Sequence, residues 1–130
     1  MIVLDTHIWV WWSQDENRLS RRQRELIQRN EADGLGISVI SCWEIAKLVE
    51  KSKIDLDSEI DAWFEKALAY PGIQLLELTP QIAIESTKLP GKFHRDPADQ
   101  IIVATARIFD CQLLTSDGKI LNYPFVKLAL

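Results

Sequence analysis

The segment MIVLDTHIWVWW (residues 1–12) places a single carboxylate between two apolar runs. The aliphatic residues Ile2 to Leu4 are typical of a short buried strand, and a tryptophan-rich run follows Asp5. An ionised acid that is taken out of water costs several kcal/mol unless a partner compensates for the lost hydration. Asp5 is therefore either the N-cap of a helix that begins near Thr6, or one member of a cluster that shares a cation.

Length and composition favour one domain over residues 1–130, because 130 residues with 47% hydrophobic side chains are enough for a hydrophobic core. No apolar run approaches the roughly 20 residues that cross a bilayer, and no signal peptide is visible. Cys42 and Cys111 match no zinc spacing, so we expect reduced thiols in a cytoplasmic protein. The net charge of -4 argues against a protein that coats nucleic acid, but it does not exclude a nuclease.

Short apolar runs alternate with helical patterns along the chain, which is typical of a parallel sheet covered by helices on both faces. The predicted strands are Ile2–Leu4, Ile37–Ile40, Ile73–Leu78, Cys111–Leu114 and Phe125–Leu128. The predicted helices begin near Thr6, span Arg18–Asn30, Cys42–Lys51 and Ser58–Ala69, begin again at Thr79-Pro80, and run from Asp96-Pro97 through Phe109. We therefore predict an α/β fold with a central, mostly parallel five-stranded sheet.

Acidic residues follow three of the predicted strands, and ligands of such sheets bind at the carboxyl ends of the strands. Asp5 follows the first strand, Glu44 lies just after the second, and Asp117 follows the fourth. Each also has a purely structural interpretation. Glu44 could complete a capping box with Ser41, and Asp117 could form an ordinary Asp-Gly turn.

Asp99 is harder to explain by structure alone. If Asp96 caps the helix and Pro97 is its first residue, Asp99 lies in the first turn of a helix that is apolar nearly all round. No Lys or Arg lies one helical turn along from Asp99. This carboxylate therefore requires a metal ion or a basic group from elsewhere in the chain.

Taken together, the acids predict a cation site, because like charges a few Å apart raise each other's pKa or require a counter-ion. The four acids are Asp5, Glu44, Asp99 and Asp117. Hard oxygen ligands suit Mg²⁺ or Mn²⁺, and such sites hydrolyse phosphodiester bonds. The segment before Asp99 offers candidates for phosphate contact, with a solvated loop as the alternative: Lys92, His94 and Arg95.

Four motifs resemble the PIN domain, and within it the VapC-type toxins of prokaryotic toxin–antitoxin pairs: IVLDTHIWVWW, SVISCWEIAKL, HRDPADQIIVATA and LLTSD. They occur in the family's order from the beginning to the end of the chain. The resemblance implies a Mg²⁺- or Mn²⁺-dependent endoribonuclease whose catalytic and metal-binding acids are Asp5, Glu44, Asp99 and Asp117, with support from Thr6, Asp96 and Thr115. It also implies RNA as substrate, a homodimer, and an antitoxin protein that inserts a segment into the active-site groove. The chain departs from the commonest pattern of this subgroup at Ala98 and Gln100, where Phe and Arg are usual.

Two other functions are compatible with these residues. One is a non-catalytic PIN-like binding or interaction module whose acids merely cap helices. The other is a phosphatase that forms an aspartyl-phosphate, but the enzymes known for that chemistry carry a second acid two residues after the nucleophile. His7 occupies that position here, so the phosphatase is the weaker alternative.

Overall fold

The computed structural model describes all residues, 1–130. Four strands and seven α-helices alternate along the chain: β1 Ile2–Leu4, α1 Thr6–Gln14, α2 Arg21–Asn30, β2 Leu35–Ser38, α3 Val39–Glu50, α4 Ile60–Leu68, β3 Ile73–Leu76, α5 Pro80–Ser86, α6 Pro97–Ile108, β4 Gln112–Leu114 and α7 Gly118–Leu121. A short 3-10 helix, Glu16–Arg18, connects α1 to α2. None of these helices has both the length and the apolar character that a membrane span requires.

The sheet is parallel throughout, and its strand order is β3-β2-β1-β4. The chain moves outward from β1 to β2 and β3, and then returns across the sheet to place β4 on the other side of β1. The strand order therefore changes direction between β1 and β4. In open parallel sheets, ligands bind in the crevice at the carboxyl ends of the strands on either side of such a point.

Helices cover both faces of this sheet, as the sequence predicted. In β1, successive side chains point to opposite faces, so that Ile2 and Leu4 enter one hydrophobic core and Val3 enters the other. The first core is completed mainly by α1, α2, α3 and α4, and the second mainly by α6, α7 and the segment after α7. Both layers exclude water from β1, which leads directly into Asp5.

The predicted fifth strand is wrong. Residues 125–128 form only an isolated bridge between Leu113 and Leu128. The Leu113 N–H donates to the carbonyl of Lys127 at 2.8 Å, and the Ala129 N–H donates to the carbonyl of Leu113 at 3.0 Å. Pairing that is limited to one residue of β4 does not make a ladder, so the segment packs beside the sheet without extending it.

The second strand was predicted two residues too late. It spans Leu35–Ser38, and α3 begins at Val39, where the sequence predicted that the strand continues to Ile40. The Ser38 hydroxyl accepts a hydrogen bond from the Ile40 N–H at 3.2 Å and is the N-cap of α3. The β-branched side chains of Val39 and Ile40 favour a strand, but the cap at Ser38 places them in the first helical turn.

Candidate active site

Asp5 connects β1 to α1 and is almost fully buried, with 6% of its surface exposed. Its Oδ1 accepts a hydrogen bond from the Thr6 N–H at 2.9 Å, which makes it the N-cap of α1. Its Oδ2 accepts a hydrogen bond from the Thr115 hydroxyl at 2.6 Å. Burial raises the pKa of Asp5 above its ordinary value, although these two hydrogen bonds act in the opposite direction.

Thr115 joins the ends of β4 and β1 across the point where the strand order changes direction. Its hydroxyl donates to Asp5 and accepts from the Asp117 N–H at 3.0 Å. Asp117 in turn caps α7, because its Oδ1 accepts hydrogen bonds from the Lys119 N–H at 2.7 Å and the Ile120 N–H at 3.4 Å. One hydroxyl therefore sets the positions of two of the predicted acids.

Glu44 does not take part in a capping box. Because α3 begins at Val39, Glu44 lies beyond the first turn and Ser41 is inside the helix. The buried Ser41 Oγ accepts a hydrogen bond from the Thr6 hydroxyl at 2.8 Å, which ties α3 to the start of α1. Burial raises the pKa of the half-buried Glu44 carboxyl, and repulsion from Asp5 adds to the effect.

The start of α6 brings two more acids to the same place. The Asp96 Oδ1 accepts hydrogen bonds from the Ala98 N–H at 2.9 Å and the Asp99 N–H at 3.2 Å, which is the N-cap that the sequence predicted. One carboxylate oxygen from each of Glu44, Asp96 and Asp99 lies within 4.8 Å of the others. Asp96 is thus itself a member of the acid cluster, beside Glu44 and Asp99, in addition to the supporting role that we expected.

Asp99 is also a strongly perturbed carboxyl group, with only 8% of the residue exposed. Burial raises the pKa of Asp99 to about 8, and repulsion from Asp5 and the remaining acids of the cluster adds to the shift. The acids are therefore close enough to act on one another electrostatically. The sequence expectation that Asp99 lies buried and requires a partner is matched by this geometry.

The nearest basic group comes from the loop before α6. The Nε2 of His94 lies 2.9 Å from the Oδ2 of Asp99, although its N–H is not aligned for a hydrogen bond. The Gln100 side chain donates to the His94 carbonyl at 3.0 Å and so ties this loop to α6. His94 therefore faces the acid cluster, whereas its loop neighbours Lys92 and Arg95 are exposed to solvent.

The donor set fits a hard divalent cation. None of the clustered carboxylates forms a salt bridge with a Lys or Arg side chain, and His94 is the one basic group paired with any of them. The clustered acids are Asp5, Glu44, Asp96, Asp99 and Asp117. Carboxylate and hydroxyl oxygens with uncompensated negative charge are suited to Mg²⁺ or Mn²⁺.

The sequence did not reveal what anchors the cluster. Ser41 resembled a helix cap, and nothing in the local pattern indicated that it contacts Thr6. Asp96 offered a clearer signal, because an N-cap acid three residues before Asp99 must lie on the same end of α6. The N-cap assignment places Asp96 close to Asp99, as expected of a supporting acid, whereas the contact of Ser41 depends on how α1 and α3 pack.

Comparison with known proteins gives consistent results. A family model for the PIN domain matches residues 2–126. The chain is 32% identical over 122 residues to Ribonuclease VapC22 of Mycobacterium tuberculosis (strain ATCC 25618 / H37Rv), which covers 94% of this chain and 91% of that protein.

Solved structures with low sequence identity share the fold. VapBC2 from Rickettsia felis, bound to a DNA fragment from its promoter, aligns with a TM-score of 0.70 at 18% identity, over 98% of this chain and 97% of that chain. VapC20 of Mycobacterium tuberculosis, a toxin that cleaves the sarcin-ricin loop, aligns with a TM-score of 0.66 at 15% identity, over the full length of both chains.

Proposed function

The chain belongs to the PIN domain family, and from this premise we propose that it is a Mg²⁺- or Mn²⁺-dependent endoribonuclease, the VapC-type toxin of a toxin–antitoxin pair. The observation that carries the proposal is the convergence of five acids, without a Lys or Arg partner, beside the point where the strand order changes direction. We also propose that residues 1–130 form a single PIN-like domain. The 32% identity with a ribonuclease over nearly the whole chain supports the choice of RNA as substrate.

Asp5 and Asp99 are the proposed direct metal ligands, and the other carboxylates complete the negative charge. When bound, the cation lowers the pKa of a water molecule and neutralises charge on the phosphate. The hydrogen bonds from Thr6 and Thr115 keep the Asp5 carboxylate in one orientation, so that both of its oxygens are held in place. The packing of β1 between two hydrophobic cores also fixes the backbone that leads into Asp5.

Asp117 and Glu44 are the proposed proton acceptors for the attacking water. The Oδ1 of Asp117 accepts both N–H bonds at the start of α7, which leaves its Oδ2 to orient the water and accept its proton. Glu44 is held half-buried on α3, which is tied to α1 through Ser41 and Thr6. The water oxygen would bond to phosphorus as its proton passes to the carboxylate. The phosphorus–oxygen bond to the ribose of one RNA fragment would break, and that ribose oxygen would take up a proton from solvent.

Cleavage of single-stranded RNA with Mg²⁺ or Mn²⁺ tests the proposal. We expect Asp5→Asn and Asp99→Asn each to lower the rate by at least about 100-fold, because the loss of a proposed metal ligand should cost at least as much as the loss of a residue that only supports one. Asp110→Asn is the matched control, since this exposed carboxylate pairs only with Lys127 and Asn tolerates its positive φ. Equal rates for wild type and all three variants would show that the acids have no part in catalysis.

One observation favours the alternative of a non-catalytic binding module. Asp5, Asp96 and Asp117 each accept the N-cap hydrogen bonds of a helix, so structure alone accounts for their positions. Glu44 and Asp99 are not caps, and their burial near other acids has no such explanation. A module of this kind predicts no RNA cleavage by the wild-type protein in any divalent cation.

We further propose an antitoxin protein and a second copy of this chain as partners. The family and the toxin–antitoxin complexes among the similar structures support the antitoxin. Expression of this chain alone in a bacterium is expected to arrest growth, and co-expression of the neighbouring small open reading frame is expected to relieve the arrest. Growth that is unaffected by expression of the active chain would contradict the toxin assignment.

A further inference from the structure

A surface groove of about 410 Å³ lies between α2 and the end of β4, next to the acid cluster. Half of its lining is polar, with Arg22 and Gln23 on one side and Thr115 and Ser116 on the other, and the other half is apolar: Leu26, Leu121, Ala129 and Leu130. Thr115 is the residue whose hydroxyl holds the Asp5 carboxylate. The groove therefore shares Thr115 with the proposed catalytic site and extends from there to α2.

The wall of the groove is fixed by hydrogen bonds at the start of α2. The Gln23 Nε2 donates to the Ser116 hydroxyl at 2.7 Å, and the Gln23 Oε1 accepts from the Ser20 N–H at 2.9 Å. Ser20 and Gln23 together form a capping box that sets where the helix begins. Ser116 is flanked in sequence by Thr115 and Asp117, so this contact ties the start of α2 to the acid cluster.

Arginine is concentrated in one segment of the chain, residues 18–29, which is flanked by the acids Asp15, Glu16, Glu31 and Asp33. Five of the seven arginines of the chain lie within residues 18–29, where the only acid is Glu25, so the segment carries a net charge of +4. The whole chain carries a net charge of -4. Clustering of arginine along one helix in an otherwise acidic protein is the electrostatic pattern expected of a surface that contacts nucleic-acid phosphates.

Arg22 is the arginine that lines the groove, and its guanidinium is held in position. Its Nε and Nη2 donate to the main-chain oxygen of Leu130 at 3.2 and 2.8 Å, and its Nη1 lies 3.9 Å from the Glu25 carboxylate. A guanidinium has five N–H donors, so a positioned Arg22 retains donors for a phosphate. About half of its side chain is exposed, which leaves it accessible from the groove.

Building on the proposed function, we propose that this groove binds a backbone phosphate of the RNA strand beside the nucleotides being cleaved, with Arg22 as the phosphate contact. A strand that places its scissile phosphate at the acid cluster carries its next phosphates into the adjoining grooves. This groove shares Thr115 with the cluster and carries an arginine, whose guanidinium is a donor group suited to a phosphate. Sequence-independent contact of this kind sets affinity and strand position.

Two matched pairs of substitutions test the proposal. Gln23→Glu places a carboxylate in the groove while keeping an acceptor for Ser20, and Gln28→Glu makes the same change at an exposed position farther along α2. Arg22→Gln removes the charge from the groove, and Arg21→Gln removes the same charge from a side chain that is 89% exposed and outside the groove. Thermal melts show which variants fold like the wild type.

The measurement is the affinity of each full-length variant for a single-stranded RNA oligonucleotide in EDTA, over a series of salt concentrations. We expect Gln23→Glu and Arg22→Gln to raise the Kd several-fold, and Gln28→Glu and Arg21→Gln to stay near the wild-type value. Loss of one phosphate contact in Arg22→Gln also lowers the slope of log K against log salt by about 0.7. The pair at positions 23 and 28 keeps the test valid even if Arg22→Gln disturbs the contact with Leu130.

Other outcomes would overturn the proposal. Equal affinities within both pairs would exclude the groove from RNA binding while leaving the proposed ribonuclease activity intact, provided that the wild type cleaves RNA. A wild type that neither binds nor cleaves RNA would overturn both. If Arg22→Gln weakens binding of a polyglutamate peptide but not of RNA, the groove serves an acidic protein segment instead.

Discussion

Asp99 is a buried carboxyl group that lies among other acids. Its pKa is raised to about 8 by burial and by neighbouring acids, from an ordinary value near 4. The folded protein therefore binds this proton more tightly than the unfolded chain does. Since the unfolded state loses the proton first, the free energy of unfolding decreases as the pH rises from about 4 to about 8.

Asp99→Asn should therefore stabilise the protein in the absence of a divalent cation. We expect its Tm to exceed that of the wild type at pH 8, because Asn cannot ionise among the remaining acids, and the difference to shrink toward pH 4. Thermal melts in EDTA at the two pH values measure this. A difference in Tm that is the same at both pH values would show that charge repulsion at Asp99 is not its cause.

Thr115 is the residue that holds two acids in place. Thr115→Val keeps the shape of the side chain but removes the donor to Asp5 and the acceptor for the Asp117 N–H. We expect a loss of about 1–3 kcal/mol in the free energy of unfolding, the usual consequence of leaving a buried polar group unpaired. Urea unfolding measures it, with Thr87→Val, an exposed position at the end of α5, as the control. Equal losses in the two variants would contradict this assignment.

Which residue lies against Asp99 could not be predicted from the sequence. The apolar pattern of α6 showed that Asp99 is buried and lacks a basic partner one turn along the helix. The position of His94 beside Asp99 depends on the loop before α6. Tyr123, which follows α7, holds this loop in place: its hydroxyl donates to the Pro90 carbonyl, and Phe93 packs against its ring. Contacts between residues that are 30 or more positions apart leave no pattern in the local sequence.

Among the elements, those with strong capping signals were predicted best. The prediction of a helix from Asp96-Pro97 through Phe109 agrees with α6, Pro97–Ile108, because an Asp-Pro start and a continuous apolar face leave few alternatives. The Thr79-Pro80 start of α5 is confirmed for the same reason. The bounds of β2 and α3 were predicted wrongly because the β-branched Val39 directly follows the cap at Ser38. Residues 125–128 were predicted wrongly because this strand-like segment pairs with only one residue of β4.

Gln14, the last residue of α1, connects that helix to α4 and the loop before it. Its Oε1 accepts hydrogen bonds from the Trp63 Nε1–H at 2.9 Å and the Asp57 N–H at 3.2 Å, and its Nε2 donates to the Asp55 carbonyl at 2.9 Å. Trp63 is a buried member of the first core. Gln14 thus fixes the position of α4 relative to α1.

Gln14→Ala should therefore destabilise the protein much more than an ordinary surface substitution. It leaves the buried Trp63 N–H without its acceptor, so we expect the free energy of unfolding to fall by about 1–3 kcal/mol. Gln28→Ala, on the exposed face of α2, should change it by less than about 0.5 kcal/mol. Guanidinium unfolding curves compare the two variants. Indistinguishable midpoints of unfolding would show that the contacts of Gln14 do not stabilise the packing of α4 against α1.

At the scale of the whole molecule, the position of the site follows from the order of the strands. Alternating strand and helix patterns predicted a parallel sheet with acids at its carboxyl ends, but they did not predict the order β3-β2-β1-β4. That order depends on the return of the chain from β3 to β4, which is decided by tertiary packing. The positions of the acids after predicted strands and at the start of α6, together with the resemblance to a family, identified the set of acids, and the strand order explains why Asp5 and Asp117 meet.

The clustered acids form the proposed binding site for a divalent cation. Binding of the cation can be tested without knowing the RNA target. The measurement is the Tm of the wild type, Asp99→Asn and Asp110→Asn as Mn²⁺ is added. A cation that binds only the folded state stabilises it by about 2.7 kcal/mol at 100 times its Kd. We expect a rise in Tm for the wild type and Asp110→Asn, and a much smaller one for Asp99→Asn. A wild-type Tm that Mn²⁺ leaves unchanged, or an equal rise in all three proteins, would contradict it.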